Sequence, residues 1–147
     1  MYTIFQSNGD TDVFFQTLLE TAPDAMIIVD DRGRIAIVNG QAEKMFGYER
    51  SEILGQPIEI LIPERTREQH VELRERFAEK PSLRPMGEGL NLVGLCKDGR
   101  EFPVEISLSP VQSPAGQFVS SVVRDVTARR RIEEEIIAAR EEAVRAN

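Results

Sequence analysis

The chain has one cysteine, one histidine and no tryptophan in 147 residues. A lone Cys96 excludes an internal disulfide and fits a reducing compartment. A lone His70 excludes a histidine pair and most metal sites. No apolar run approaches the roughly 20 residues of a membrane span. The first residues, Met1 to Phe5, lack the basic region and long apolar stretch of a signal peptide. Positive charge is also short: 18 Lys and Arg stand against 25 Asp and Glu, a net charge of −7. That argues against nucleic acid, because phosphate binding needs a basic face. These absences predict a cytoplasmic protein with no membrane and no nucleic-acid partner. Catalytic pairings are missing as well. No Ser or Cys stands beside a plausible base, and the carboxylates fall on polar helix faces. Gly87-x-Gly89 precedes a strand rather than a helix N-terminus, so it reads as backbone punctuation.

What is present suits one domain with appendages, since 41% of residues are hydrophobic. Residues 1–22 read as a polar tail and a cap helix from Asp12. Val13, Phe14, Leu18 and Leu19 share that helix's apolar face, and Pro23 stops it. Ala25 to Val29 is a strand, Asp30 to Gly33 a turn and Arg34 to Val38 a second strand. Asn39 sits where an N-cap belongs, ahead of a short helix closed by Gly47, and Ser51 is the expected cap of a further turn ended by Gly55. Pro57 to Ile62 is apolar and irregular. Pro63-Glu64 opens a helix to about Lys80, with Thr66, His70, Leu73 and Phe77 on one face and Pro81 and Pro85 at the exit. Three strands follow, Leu90 to Cys96, Phe102 to Val111 and Phe118 to Val123. They are joined by turns at Lys97-Asp98-Gly99-Arg100 and Ser113-Pro114-Ala115-Gly116. The order β-β, helices, β-β-β predicts an α+β fold: one antiparallel sheet with helices on one side.

At Val122 to Thr127 the period changes. Ile132, Ile136, Ala139, Ala143 and Ala146 then recur at spacings of 4, 3, 4 and 3, a heptad seam. Arg129–Glu133, Arg130–Glu134, Arg131–Glu135 and Glu141–Arg145 are i,i+4 pairs worth a few tenths of a kcal/mol each. Alanine buries little, so the seam should be weak beyond Ile136, which suits a helix that changes register at low cost. Residues 128–147 therefore read as a signalling coiled coil. A homodimer is expected through this seam, assisted by Phe14, Leu18 and Leu19.

Short motifs in fixed order carry a resemblance. They are Ala22-Pro23-Asp24-Ala25, Gly33-Arg34-Ile35 with Val38-Asn39, Phe46-Gly47-Tyr48 and Ile53-Leu54-Gly55. Lys97-Asp98-Gly99, Phe102-Pro103-Val104-Glu105 and Arg124-Asp125-Val126-Thr127 complete the set. Over residues 23–127 the chain resembles a PAS domain. The resemblance implies a five-stranded antiparallel sheet, helices forming a pocket against one face, and a sensing or dimerising role. The matching physical reading makes Asn39 a helix cap and Asp98-Gly99 a tight turn. Asp125 and Thr127 are expected to accept from free N–H groups at the start of the last helix. In similar proteins this junction, with Arg124, couples sensor to effector.

The resemblance also frames the ligand. The flavin-binding light sensors of the family carry a reactive cysteine where Ile58 stands, so flavin–cysteinyl photochemistry is excluded. The haem-binding oxygen sensors place their proximal histidine on the helix that here carries His70, and Pro63-Glu64 stands ahead of His70 at a similar spacing. They carry an Arg about where Leu90 stands, and a second haem group uses a Met about where Glu88 stands. Met86 and Arg84 are only near. A haem here should therefore favour CO or NO over O₂. The expected pocket residues are His70, Leu73, Phe77, Leu90 and Leu92. Glu141 to Asn147 resembles the linker into the dimerisation helix of sensor histidine kinases, although the phosphoacceptor helix is absent. Three readings follow: a sensory and dimerising module that detects a small ligand for a histidine kinase of a two-component system; a haem-based gas sensor; and a ligand-free protein–protein interaction domain. The chain resembles a sensor module cut from a kinase, and a stand-alone protein is the other possibility.

Overall fold

The computed structural model describes residues 8–84 and 91–146. Helix α1 (Asn8–Thr21) starts ahead of Asp12 and ends before Pro23. Strand β1 (Ala25–Val29) buries every second residue, Ala25, Ile27 and Val29, as the two-residue period of a strand requires. It pairs with β2 (Ile35–Val38) through a turn that Asp30 closes. The Asp30 Oδ1 accepts from the N–H groups of Arg32 and Arg34, both at 2.9 Å. Gly33 holds φ at 76°, a region that costs other residues energy.

Helices α2 (Gly40–Phe46) and α3 (Arg50–Ile53), a 3-10 turn at Ile58–Leu61 and helix α4 (Glu64–Glu79) follow. Gly47, at φ 77°, ends α2 as expected. The cap of α3 differs from expectation. Glu49 stands at the N-cap, and the Glu52 carboxylate reaches back to its N–H at 3.0 Å. Ser51 lies inside the helix because the longer Glu49–Glu52 pair can close a capping box one residue earlier.

Strands β3 (Leu92–Leu95), β4 (Glu101–Ser113) and β5 (Gly116–Asp125) complete one antiparallel sheet in the order β2-β1-β5-β4-β3. The expected α+β fold is what forms. The core lies between the sheet and the helices and includes Ile27, Ile35, Phe46, Ile53, Leu61, Phe102 and Val104. Phe46 and Phe102 meet with ring centroids 5.5 Å apart.

Asn39 is more than a helix cap. It is fully buried, and its Oδ1 accepts from Ala42 N–H at 3.0 Å and Met26 N–H at 2.9 Å. Its Nδ2 donates to the carbonyls of Leu19 at 2.8 Å and Asp24 at 3.1 Å. One side chain thus joins α1, β1 and α2. Leu19 is also drawn inward and is 6% exposed. It belongs to the body of the domain and not to the dimerising stripe expected with Phe14 and Leu18, because Asn39 anchors that turn of α1.

Helix α5 (Thr127–Ala146) buries none of its residues. Among the described residues, no helix is long and apolar enough to cross a membrane.

Candidate functional site

On β4, Phe102 and Val104 are buried, yet Ile106 and Leu108 on the same face are only half-buried. They face a cavity of about 210 Å³ between the sheet, the 3-10 turn and α4. His70, Leu73, Phe77 and Leu92 line it, as expected. Leu90, Glu88 and Met86 lie outside the described residues. Thr66 does not line the cavity. It is exposed, and its hydroxyl donates to the Pro63 carbonyl at 2.9 Å. Along α4, the residues that line the cavity begin at His70. Ile58 lines the wall.

Three polar residues fix that wall. Glu59, 7% exposed, is the one acid in the apolar stretch Pro57 to Ile62. Its Oε2 lies 2.6 Å from His70 Nδ1 and accepts from Arg74 Nε at 3.2 Å. Arg74 also covers the backbone at Gly33, where a Cβ would collide with the guanidinium. The Glu59–His70–Arg74 cluster therefore pins α4 to the 3-10 turn and to the β1–β2 turn. The signal for Glu59 was there in sequence, as a lone charge in an apolar run. The position of Arg74 was not, because it shares a polar helix face with other charges.

The cluster bears on haem. With Nδ1 held by Glu59, Nε2 is the imidazole nitrogen left for a metal. The space does not suit the group. Pockets for drug-sized ligands run from about 300 to 1,000 Å³, and a haem macrocycle needs more than this 210 Å³ cavity contains. Among the described residues, no three His, Cys, Asp or Glu side chains cluster as metal ligands. Cys96 is buried, with Sγ 3.4 Å from the Met45 carbonyl, a core residue of the β3 edge.

The cavity strands lead into the last helix. Asp125 Oδ1 accepts from Thr127 N–H at 2.9 Å. Thr127 does not accept from the helix as expected; its hydroxyl donates to the same Oδ1 at 2.5 Å, which closes the pair on itself. Arg124 is held by both oxygens of Asp24, at 3.2 and 2.9 Å. That contact raises the guanidinium pKa and ties the end of β5 to the exit of α1. Val126 is buried, and its N–H donates to the Pro103 carbonyl at 3.1 Å. Arg129 forms an ion pair with Glu105, a β4 residue that borders the cavity. Arg130 donates to Asn91 at 2.9 Å, just ahead of β3, rather than pairing with Glu134. Of the expected helical pairs, Arg129–Glu133 and Glu141–Arg145 form, at 3.6 and 3.8 Å.

Beyond this first turn α5 stands clear of the body. Ile132, Ile136, Ile137 and Val144 are exposed there, as are Val13, Phe14, Phe15 and Leu18 on α1. Ile137 widens the heptad seam on α5, and Phe15 widens the apolar face read for α1.

An antiparallel five-stranded sheet, with helices closing an apolar cavity on one face and a helix leaving from the central strand, defines the class. A family profile described as the PAS fold matches residues 14–126, and the chain belongs to that family. It is 33% identical over 116 residues to the sensor protein FixL of Bradyrhizobium diazoefficiens, covering 79% of this chain and 23% of that protein. It is 30% identical over 132 residues to the cell-division control histidine kinase PdhS of Brucella ovis, covering 90% of this chain and 13% of that one. The chain thus spans less than a quarter of each of these two relatives. Among solved structures, a PAS domain from Colwellia psychrerythraea matches with a TM-score of 0.68 at 21% identity, covering 81% of this chain and 99% of that one. An RNA-binding light-oxygen-voltage receptor matches at 0.71 and 20% identity, covering 95% and 40%. These two likenesses support the fold alone.

Proposed function

We propose that the chain is the sensory module of a signalling protein: it detects the occupancy of its cavity by a small molecule and passes that state through α5 to a histidine kinase or similar effector. One observation carries the reading. Strand β4, which walls the cavity, and Asn91, just ahead of β3, grip the start of α5 through Glu105–Arg129, Asn91–Arg130 and the Pro103–Val126 bond that precedes it. A ligand that shifts β3 or β4 by a fraction of an ångström changes those contacts first. Relatives named a sensor protein and a histidine kinase support the same role. The relay residues of this reading are Arg124, Asp125 and Thr127, as the sequence suggested, joined by Glu105 and Arg129.

The module works as a homodimer in this reading. Ile132, Ile136, Ala139 and Ala143 form the seam on α5, and Phe14 and Leu18 extend the contact on α1. Exposed isoleucines on an otherwise charged helix support it. Sedimentation velocity should give a dimer for the whole chain and a monomer for Ile132→Glu/Ile136→Glu. An unchanged sedimentation coefficient in the double variant would refute the seam. Haem on His70 is the rival ligand, favoured by the Glu59–His70 contact and opposed by the cavity's size. Titration with haemin should leave the absorption spectrum that of free haemin. A Soret band that disappears in His70→Ala would reverse this choice. An interaction domain that binds no ligand would instead leave the cavity without use, and native mass spectra of the purified protein would show only the bare chain.

A further inference from the structure

Glu59 is already shared between His70 and Arg74, which leaves Arg84 as the one cation lining the cavity without a side-chain acceptor among the described residues. Its orientation follows from strand pairing. Arg84 forms an antiparallel bridge with Leu108, exchanging both backbone hydrogen bonds at 2.9 Å. Directly opposed residues project to the same face of a sheet. Leu108 faces the cavity, so Arg84 does too. On the other side of Leu108 the register places Ser121, and beyond it Ile27. Ser121 is 8% exposed, lines the same cavity, and its hydroxyl has no partner among the described residues. Arg84, Leu108, Ser121 and Ile27 therefore form one row across the cavity face. Arg84 and Ser121 stand two strand spacings apart, about 10 Å between backbones. Both residues line the cavity on either side of Leu108, and an arginine side chain is long enough to lean across much of that gap.

We infer that the cavity takes a small apolar carboxylic acid, with its carboxylate held over Leu108 between Arg84 and Ser121 and its body against Ile27, Phe77 and Leu92. This rests on the sensory reading above and gives that site its ligand class. A guanidinium without an acceptor is the group that best matches a carboxylate, and a hydroxyl donor beside it completes the pair. The volume sets the size. About 210 Å³ equals roughly seven waters of liquid, which suits an arylacetic acid or a short fatty acid. The apolar walls supply affinity, and the two polar groups fix which end enters last.

Phenylacetate and phenylacetamide have nearly one shape and differ in charge, so they test the inference on the whole chain. In an NMR titration of the wild type, phenylacetate should shift the amides of Arg84, Leu108 and Ser121 saturably and bind at least about tenfold tighter than the amide, since a hydrogen bond to a charged group is lost with the latter. Arg84→Met should erase that preference. Arg84→Lys should keep part of it, because the charge stays while the fork is lost. Ser121→Ala should weaken the acid by a smaller factor. Equal binding of acid and amide by the wild type would overturn the inference and leave a sensor of neutral ligands. A preference that persists in a folded Arg84→Met would overturn the role of Arg84. If neither compound perturbs any cavity resonance, the inference falls together with the ligand-sensing reading beneath it. The wild-type comparison stands even if Arg84→Met does not fold.

Discussion

Replacing Asn39 by alanine removes four hydrogen bonds from a fully buried side chain, two accepted and two donated. Each such bond contributes about 1 kcal/mol net, and a buried group left without its partner costs about 1 to 3 kcal/mol. The Ala42 N–H and the Leu19 carbonyl lie inside, whereas the bonds to Met26 and Asp24 are only part-buried and can be partly replaced by water. The expected loss is about 3 to 4 kcal/mol, a large share of the stability of a small domain. For a chain of this size that lowers the melting temperature by roughly 10 °C. Asn39→Ser separates the parts. A serine at the N-cap still accepts from Ala42, but it is too short for Met26 and cannot reach Leu19. It should recover about 1 kcal/mol of the loss, the usual worth of a cap, and leave about 2 to 3 kcal/mol missing. Urea unfolding followed by circular dichroism measures both variants at constant m-value. If Asn39→Ser lies within about 0.5 kcal/mol of the wild type, Asn39 is only a helix cap and the joining of α1 to the sheet has another cause.

Three further expectations concern the cavity wall and the surface. Glu59→Ala should cost about 2 to 3 kcal/mol, less than the 3 to 5 for a sealed pair because His70 and Arg74 can partly hydrate; a double-mutant cycle with Arg74→Met should show coupling, and additive losses would refute the cluster. Gly33→Ala should cost more than Gly99→Ala, since both hold positive φ but only Gly33 lies under Arg74; equal melting temperatures would contradict that contact. Glu20, Glu52 and Glu101 have pKa values lowered from the ordinary 4.5, chiefly by hydrogen bonds from Arg50, Lys97 and Arg65 respectively. A carboxylate depressed in the folded state adds stability above its unfolded pKa and loses it as pH falls through the folded one. Stability should therefore be level near neutrality and decline below about pH 4.5, modestly because these pairs are exposed; a triple Glu→Gln variant that keeps the same acid profile would refute the assignment.

Local signals carried much of the fold into view. Asp30 to Gly33 and Asp98-Gly99 specify their turns by side-chain acceptors and a positive-φ glycine, both encoded within four residues. Alternation in Phe102, Val104, Ile106 and Leu108 marked the cavity face of β4, and helical phase placed His70, Leu73 and Phe77 on the wall. What stayed hidden depends on which strand lies beside which. Arg84 and Ser121 share a row only because each is opposite Leu108, and no local period encodes that register. Phase alone also misread Leu19 and Thr66. A helix viewed by itself has an apolar face, but the neighbours decide which turn of that face meets the body. Asn39 illustrates both limits: its cap was legible, while its bonds to Leu19, Asp24 and Met26 were not.

The central claim is that occupancy of the cavity reaches α5 through Glu105 and Arg129. Hydrogen exchange at the amides of Arg130 to Glu135, with the cavity empty and then filled by phenylacetate, measures it most directly. These amides should change protection on filling in the wild type and stop responding in Glu105→Ala, while cavity amides on β4 and β5 still respond. Changes that stay within the sheet in both proteins would contradict the account.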